Sequence, residues 1–175
     1  MTDLRLFPNL LTERLILRKL ASKDLNALEV LANNIEITNR IINFPYPFRP
    51  HDASLRLAYI NKGYLEGQRY IFAIVESKTG NFMGEIGLHY HDQRQNHFQL
   101  SYWLGQPFWR QGFMSEAIAR MLDFGFNELC ADLIYADCHS SNIASIMALL
   151  KNHFKLHSTH GNVNLYRYLK VDFIK

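Results

Sequence analysis

The chain has 175 residues, of which 48% are hydrophobic and 20% are charged, and its formal net charge is +3. These values are typical of a globular protein with a real core, so we expect one domain over residues 1–175 and exclude a disordered chain. Lysine and arginine are scattered rather than clustered, which argues against a nucleic-acid-binding module. The small positive charge suits an anionic ligand such as a nucleotide cofactor.

The cysteine pattern and the N-terminus indicate the compartment. Cys130 and Cys138 form neither a CxxC pair nor a metal-ligand cluster, which favours a reducing environment. Asp3 and Arg5 interrupt the short apolar stretch at the N-terminus, so it is a poor signal peptide. No window has the length of a membrane span. We therefore expect a cytoplasmic protein without membrane attachment, and the sequence leaves open whether it is a monomer or a homodimer.

The N-terminal part of the chain predicts one strand and two helices. Residues 14–20 alternate apolar and basic side chains, as a strand does. Ser22 is a candidate N-cap for a helix over Lys23–Asn33. The two prolines in Phe44–Phe48 (FPYPF) exclude a regular helix there, and a second helix is predicted over Asp52–Glu66.

The middle of the chain predicts three strands. Tyr70–Val75 is a continuous apolar run, as expected for a strand covered on both faces. Turn residues at 78–81 precede a second strand over Phe82–His89. His97–Leu104 alternates and ends before Gln106 and Pro107.

The C-terminal part returns to helical periodicity and then alternates. A helix is predicted from Phe113, a strand over Leu133–Cys138, a helix over Asn142–Asn152 and a last strand over Val163–Val171, with room for one more strand near Phe154. The apolar stripe of the first of these helices contains Ile118, Met121, Leu122, Gly125 and Leu129. The order of elements predicts an α/β (α+β) domain around a sheet of mixed pairing.

The segment most informative about chemistry is Tyr102–Ala117, YWLGQPFWRQGFMSEA. A strand ends, a short loop containing Gly112 follows, and a helix begins. The first backbone N–H groups of such a helix have no intrahelical partner and can bind phosphate. A single glycine before a helix is more often a plain connection, and neither the GxGxxG nor the GxxxxGK pattern is present. The residues alone therefore leave the phosphate site as a hypothesis.

Four motifs in a fixed order resemble the GNAT acetyltransferases, in the RimJ/RimL-like branch that acetylates the N-termini of ribosomal proteins. They cover residues 12 to about 154. The matching residues are Thr12-Glu13-Arg14-Leu15-Ile16-Leu17-Arg18, Tyr102-Trp103-Leu104-Gly105, Phe108-Trp109-Arg110-Gln111-Gly112-Phe113-Met114-Ser115-Glu116-Ala117, and Asn142-Ile143-Ala144-Ser145.

The resemblance implies a fold and an activity. The expected fold is the GNAT fold, a mixed, mostly antiparallel central sheet flanked by helices and splayed after its fourth strand. The expected activity is transfer of the acetyl group of acetyl-coenzyme A (acetyl-CoA) to an amine, without a metal. Acceptors compatible with the sequence are a ribosomal-protein N-terminus, a polyamine, an amino acid and an aminoglycoside. A non-catalytic acyl-CoA-binding or regulatory domain is the alternative.

The resemblance also implies site residues. The backbone of Tyr102, Trp103 and Leu104 would bind the pantetheine arm, Asn142 would bind the cofactor further along, and Ser145 would protonate the departing thiolate. The pyrophosphate would be held by Trp109, Arg110, Gln111, Gly112, Phe113, Met114 and Ser115. The chain departs from the family at three positions: Arg110 and His153 replace glycine, and Met114 replaces alanine.

An ammonium must lose a proton before it attacks a thioester, so a base is also needed. Glu85 precedes the cofactor-binding strand and is a candidate base that acts through water, although an exposed strand residue would look the same. His89, His91 and His97 could converge across a hairpin, but no fourth metal ligand is evident. The aromatic segment Phe44–Phe48 either shapes the acceptor entrance or packs as a plain loop.

Overall fold

The computed structural model describes residues 6–39, 41, 44–92 and 95–173. These residues form one eight-stranded sheet with the strand order β1-β2-β3-β4-β5-β6-β8-β7. The strands are β1 (Leu10–Leu11), β2 (Leu15–Arg18), β3 (Arg69–Glu76), β4 (Phe82–Asp92), β5 (His97–Leu104), β6 (Leu133–His139), β7 (Lys155–His160) and β8 (Val163–Leu169). All neighbours are antiparallel except β5 and β6, which are parallel.

Helices flank both faces of the sheet. They are α1 (Leu25–Ala32), α2 (Ile35–Thr38), α3 (Pro50–Leu65), α4 (Phe113–Asp123), α5 (Ile143–Lys151) and α6 (Lys170–Phe173). A π-helical turn over Phe124–Glu128 continues α4, and 3₁₀ turns cover Ser22–Asp24 and Gln106–Phe108. None of the described helices is long and apolar enough to cross a membrane.

Two hydrophobic cores hold the helices on the sheet. The first lies under α4 and α5, where Phe72, Ile86 and Leu88 of the sheet pack against the apolar side of α4. The second lies under α1 and α3 and contains Ala73 and Trp103 of the sheet. The α4 stripe predicted from periodicity is buried, and Gly125 belongs to it because a side chain there would strike Ile134.

The mixed sheet predicted from the sequence is confirmed, with several local differences. The helix expected from Lys23 starts with a 3₁₀ turn instead, and its Ser22 cap is wrong because the Asp24 carboxylate accepts from the Ala21 N–H. Short elements at Leu10–Leu11 and Ile35–Thr38 were not predicted, since two to four residues carry no periodicity. The additional strand near Phe154 is β7.

Candidate active site: a splayed sheet and a helix N-terminus

The parallel strands β5 and β6 pair only at their beginnings. Their register joins His97, Phe98 and Gln99 to Leu133, Ile134 and Tyr135, and no later residues pair. The fourth strand predicted from the sequence is β5. After its first three pairs β5 diverges from β6, and this separation is the predicted splay. It leaves the C-terminal half of β5 with an open edge of backbone groups on the side facing β6.

The N–H and C=O groups of successive strand residues point to opposite sides, and this alternation decides which residues present theirs to the open edge. The Gly105 N–H donates to the Met83 carbonyl, and the Trp103 carbonyl faces Gly84 of β4. Successive residues of a strand point their peptide groups to opposite sides, so Tyr102 and Leu104 face the open edge. This corrects the prediction for Trp103, whose backbone faces β4 and whose indole is buried under α3. The indole Nε1 of Trp109 already donates to the Leu104 carbonyl at 2.6 Å.

The N-terminus of α4 is a set of backbone donors without partners. Gly112 is the N-cap residue with φ 81°, in the left-handed region that glycine adopts without strain. It has no side chain to cap the helix, and the described residues offer no acceptor to the N–H groups of Phe113, Met114 and Ser115. Such donors, together with the helix macrodipole, suit a phosphate group.

The predicted pyrophosphate residues have different environments. The Phe113 side chain is buried, Met114 packs half-buried against the first core, and Arg110 is exposed with φ 60°. Gln111 Nε2 donates to the Pro107 carbonyl at 2.9 Å, which ties the loop to its own beginning. The loop is therefore packed on one side and open on the other, where Arg110 faces solvent.

Two of the sequence motifs are joined in space, which the sequence did not reveal. Glu116 in the first turn of α4 accepts hydrogen bonds from Thr12 Oγ1 (2.5 Å), the Arg14 backbone N–H (2.8 Å) and Arg14 Nε (2.7 Å). Arg14 Nη1 also donates to the Gln111 carbonyl at 3.1 Å, and its guanidinium stacks 4.4 Å from the Phe113 ring centre. The Thr12–Arg14 segment thus holds in place the loop that contains Gly112 and precedes α4.

The hydrogen bonds of Thr12 and Arg14 to Glu116, called the clamp below, also determine the charge of Glu116 at the N-terminus of α4. Partial burial alone would raise the pKa of Glu116, but the hydrogen bonds from Thr12 and Arg14 outweigh it and hold that pKa below its ordinary value. Glu116 is therefore ionised at neutral pH, and the Arg14 guanidinium compensates its charge. Glutamate at this position stabilises the loop without leaving uncompensated negative charge beside the free donors.

An open groove of about 410 Å³ lies beside the loop. The guanidinium of Arg14 and the ammonium of Lys151 are its two cations, and Asn152 closes it by donating from Nδ2 to the Ser115 carbonyl at 3.1 Å. Its lining residues are Arg14, Gln111, Gly112, Ser115, Glu116, Ala119, Lys151 and Asn152. Groove and free donors together fit the diphosphate end of a coenzyme A molecule.

Asn142 and Ser145 lie at the start of α5, below the splay. Asn142 is the N-cap, and its Oδ1 accepts from the Ser145 N–H at 3.3 Å. Ser145 Oγ is buried and lies 2.6 Å from Tyr102 Oη, and either oxygen can be the donor. Burial raises the pKa of Tyr102, with the Ser145 hydrogen bond opposing the shift, so the phenol keeps its proton at physiological pH.

Glu85 is not the exposed strand residue that the sequence allowed. It is 1% exposed and lies on the α3 face of the sheet. Its Oε2 accepts from Arg56 Nη2 (2.9 Å), Arg56 Nε (3.1 Å) and Trp103 Nε1 (3.0 Å), whereas Oε1 is buried without a partner among the described residues. The carboxylate is thus charge-compensated and fixed, with one oxygen available.

The three histidines do not assemble a metal site. His89 and His91 share one face of β4, and His97 pairs with Asp92 at the far end of the hairpin. The described residues contain no group of three or more His, Cys, Asp or Glu side chains able to hold a metal ion. His89 instead makes a 2.6 Å hydrogen bond to Ser101 Oγ.

Comparison with known proteins agrees with this geometry. Residues 14–155 match the model of the acetyltransferase (GNAT) domain family. An N-acetyltransferase named p20 from Bacillus licheniformis is 33% identical over 140 residues, covering 80% of this chain and 78% of that protein.

Two solved structures share the fold. RimL, a ribosomal L7/L12 α-N-protein acetyltransferase in complex with coenzyme A, superimposes with a TM-score of 0.82 over 93% of this chain and 98% of that chain, at 18% identity. RimJ of Mycobacterium smegmatis in complex with a CoA disulfide gives a TM-score of 0.81 over 92% and 84%, at 16% identity. The chain therefore belongs to the GNAT acetyltransferase family, and it is an N-acetyltransferase with acetyl-CoA as its co-substrate.

Proposed function

We propose that this cytoplasmic, single-domain enzyme acetylates the N-terminal amine of a protein, with the cofactor in the splay between β5 and β6. Acetyl-CoA would place its pantetheine arm along the open edge formed by Tyr102 and Leu104. Its pyrophosphate would lie on the free N–H groups of Phe113–Ser115. The observation that carries the proposal is the Tyr102–Ser145 hydroxyl pair, which lies where the strands part and next to the expected thioester.

The chemistry requires two proton movements. The amine nitrogen attacks the carbonyl carbon of the thioester, the C–S bond breaks, and the sulfur leaves as a thiolate. A hydroxyl that donates to the sulfur stabilises the developing negative charge and delivers its proton. Ser145 is the proposed donor. Tyr102 Oη, at 2.6 Å, can restore the Ser145 proton and would regain its own from solvent water in the open splay before the next turnover.

The attacking amine must lose a proton, and Glu85 is the proposed acceptor. Its Oε1 is buried and makes no hydrogen bond in the described part of the chain, whereas Oε2 is fixed by Arg56 and Trp103. A water molecule admitted to Oε1 would carry the proton from the amine to the carboxylate. Glu85 lies on the α3 face, opposite Tyr102 and Ser145. The proton acceptor and donor would then act from opposite faces of the sheet, with the thioester between them.

The choice of a protein N-terminus rests on the shared fold with RimL and RimJ and on the ordered motifs of their branch. Small amines such as a polyamine, an amino acid or an aminoglycoside are the competing acceptors. An acceptor panel with acetyl-CoA tests the choice by free-thiol release. Peptides that begin with Ser or Ala should be acetylated, and turnover restricted to small amines would overturn the choice.

The donor assignment is tested by substitution of the hydroxyl pair. Ser145→Ala should lower kcat about a hundredfold while KM for acetyl-CoA changes little, because the donor acts mainly in the transition state. Tyr102→Phe should lower kcat as well, and the double variant should be no slower than the slower single variant if the two act as one relay. Ser22→Ala, an exposed serine elsewhere, is the matched control. Wild-type kcat in both single variants would remove the pair from the mechanism.

Glu85→Gln separates a base from a merely structural carboxylate. Arg56→Gln is the matched variant, because it breaks the same ion pair but keeps the carboxylate. Both variants should lower stability, since each leaves one charge of the half-buried pair without its partner. If Glu85 is the base, Glu85→Gln should lower kcat/KM further than Arg56→Gln does. Equal kcat/KM in the two variants would remove Glu85 from proton transfer.

A further inference from the structure

One face of the sheet carries a row of polar side chains that the proposed mechanism does not use. The strand registers align Arg69, His89, Gln99, Tyr135 and Arg167 across β3, β4, β5, β6 and β8. On this face α1 and α3 pack over β4 and β3, while α4 and α5 lie on the opposite face. The row therefore begins beside α3, at Arg69, and crosses β5 and β6, the two strands that separate at the splay.

Arg69, at one end of the row, is held in a fixed position and has no ion-pair partner among the described residues. Its guanidinium lies 4.3 Å from the ring centre of Tyr59. It fills a notch at Gly63 of α3, where even a Cβ atom would come within 2.7 Å of Arg69 Nη1. No carboxylate in the described part of the chain forms an ion pair with Arg69. A preorganised guanidinium with free donors is suited to bidentate binding of a carboxylate.

The surroundings of Arg69 form a shallow depression of about 280 Å³. Its lining residues are Gln68, Arg69, His89, Tyr90 and His91. Burial, together with the charges of Arg56 and Arg69, lowers the pKa of His89 to about 4, so its ring is neutral at physiological pH. Arg56 is compensated by Glu85. Among the described residues, Arg69 thus remains the uncompensated cation of the depression, and an anion would compensate it.

A carboxylate lies near the other end, at the entrance to the splay. Asp137 of β6 and Ser101 of β5 each lie two residues beyond the last paired positions of these strands, on the face that carries the row. Asp137 is exposed, and Gln99 Nε2 donates to its Oδ2 at 3.0 Å. An ammonium that approaches the splay from this face would pass close to Asp137.

We propose that the acceptor is an amine that also carries a carboxylate, with the carboxylate bound by Arg69 and the ammonium attracted by Asp137. The inference rests on the proposed acetyl transfer and narrows its acceptor. Three strand spacings across the sheet and two residues along the strands separate Arg69 from Asp137, which gives about 16 Å between their backbones. Both side chains shorten this span, but the two acceptor charges must still be several bonds apart. An N-terminal amine followed by an acidic residue meets this requirement, whereas the adjacent charges of an α-amino acid do not.

The test compares acceptors that differ only in charge. Two pairs of acceptors are assayed for kcat and KM. The peptide pair begins Ser-Glu and Ser-Gln, and the small-molecule pair is 6-aminohexanoate and its amide. The carboxylate should improve kcat/KM about tenfold to a hundredfold, the range of a hydrogen bond to a charged group. Preference within the peptide pair or within the small-molecule pair identifies the source of the carboxylate. Equal kcat/KM within both pairs would overturn the proposal while leaving acetyl transfer intact.

Substitutions test whether Arg69 is the source of the preference for a carboxylated acceptor. Arg69→Gln should abolish the preference by raising KM for the carboxylated acceptor with kcat unchanged, and Arg69→Lys should restore part of it. Lys78→Gln removes a charge from the turn at the opposite end of β3 and β4 and should keep the full preference. A preference that survives in Arg69→Gln would overturn the assignment to this depression.

A binding measurement makes the inference independent of turnover. Titration of succinate should shift the NMR signals of the His89 ring in the wild-type protein but not in Arg69→Gln. Saturable binding supports the carboxylate site even if no tested amine is acetylated, in which case only the proposed acceptor fails. Absence of any shift in the wild type would contradict the site itself.

Discussion

Four of the described non-glycine residues have a positive φ, and two of them occupy positions where the resembling family carries glycine. These two are Arg110 (φ 60°) and His153 (φ 64°), and both have the left-handed backbone that glycine adopts without strain. A left-handed conformation costs a non-glycine residue roughly 1–2 kcal/mol. Each of the two residues therefore carries strain that a glycine would not.

His153 offers the cleaner test, because it follows α5 and is not one of the residues proposed to hold the pyrophosphate. The Phe154 N–H donates to the Leu149 carbonyl and the His153 N–H to the Leu150 carbonyl, which is the Schellman arrangement that favours glycine. His153→Gly should raise the free energy of unfolding by about 0.5–1 kcal/mol, since relief of strain exceeds the extra entropy of glycine in the unfolded chain. Urea denaturation measures the change, with Lys151→Gly inside the helix as a destabilising control. A less stable His153→Gly protein would contradict the strain.

His89 makes the stability of the protein depend on pH. Because burial and two arginines lower its pKa from 6.5 to about 4, the native state binds fewer protons than the unfolded state between these values. Stability should therefore fall as the pH drops from about 6.5 to 4, by up to about 1 kcal/mol per pH unit from this residue. His89→Gln should flatten that part of the stability curve, whereas the exposed His160→Gln should not. Identical curves for wild type and His89→Gln would refute the assignment.

At the scale of elements, the start of α5 combines a structural and a proposed binding role in Asn142. Its Oδ1 caps the helix that carries Ser145. Asn142→Ala should lower the free energy of unfolding by about 1 kcal/mol through loss of the cap.

Asn142→Ser separates the two roles because it keeps a capping oxygen and loses only the amide. If Asn142 binds the cofactor, both variants should weaken acetyl-CoA binding in calorimetry while only Asn142→Ala is destabilised. Wild-type affinity in Asn142→Ser would restrict Asn142 to capping.

Periodicity predicted the longer elements well. β5 has the bounds read from its alternation, and the buried stripe of α4 matches the spacing of its apolar residues. The short β1 and α2 were missed because so few residues show no period, and the start of α1 was misplaced because a 3₁₀ turn over Ser22–Asp24 precedes the helix.

At the scale of the whole molecule, the cofactor site joins segments that are far apart in sequence. The clamp between Arg14 and Glu116 spans about a hundred residues, and the open groove also includes Lys151 of α5. A ligand that contacts so many elements should stabilise the native state as a unit. Acetyl-CoA at about a hundred times its Kd should add about 2.7 kcal/mol to the free energy of unfolding.

Gly112→Val should remove most of this ligand-induced increment at the same cofactor concentration. Gly112 has room for a Cβ atom, whose nearest neighbour would be Arg14 Nη2 at 3.5 Å, but its φ of 81° strains a β-branched residue. The helix N-terminus would shift and its donors would no longer converge. Melting curves with and without acetyl-CoA measure the increment, and an undiminished increment would place the phosphates elsewhere.

The sequence by itself determined the family, the order of the longer elements and the loop before α4, because these depend on contiguous motifs and on local periodicity. Only the tertiary structure decided which peptide groups face the splay. The register with β4 points the backbone N–H and C=O groups of Trp103 toward β4 and those of Tyr102 toward the splay. The same holds for Glu85, which Arg56 and Trp103 enclose, and for the row from Arg69 toward Asp137. No sequence period relates residues on separate strands, so such neighbours exist only once the strands are paired.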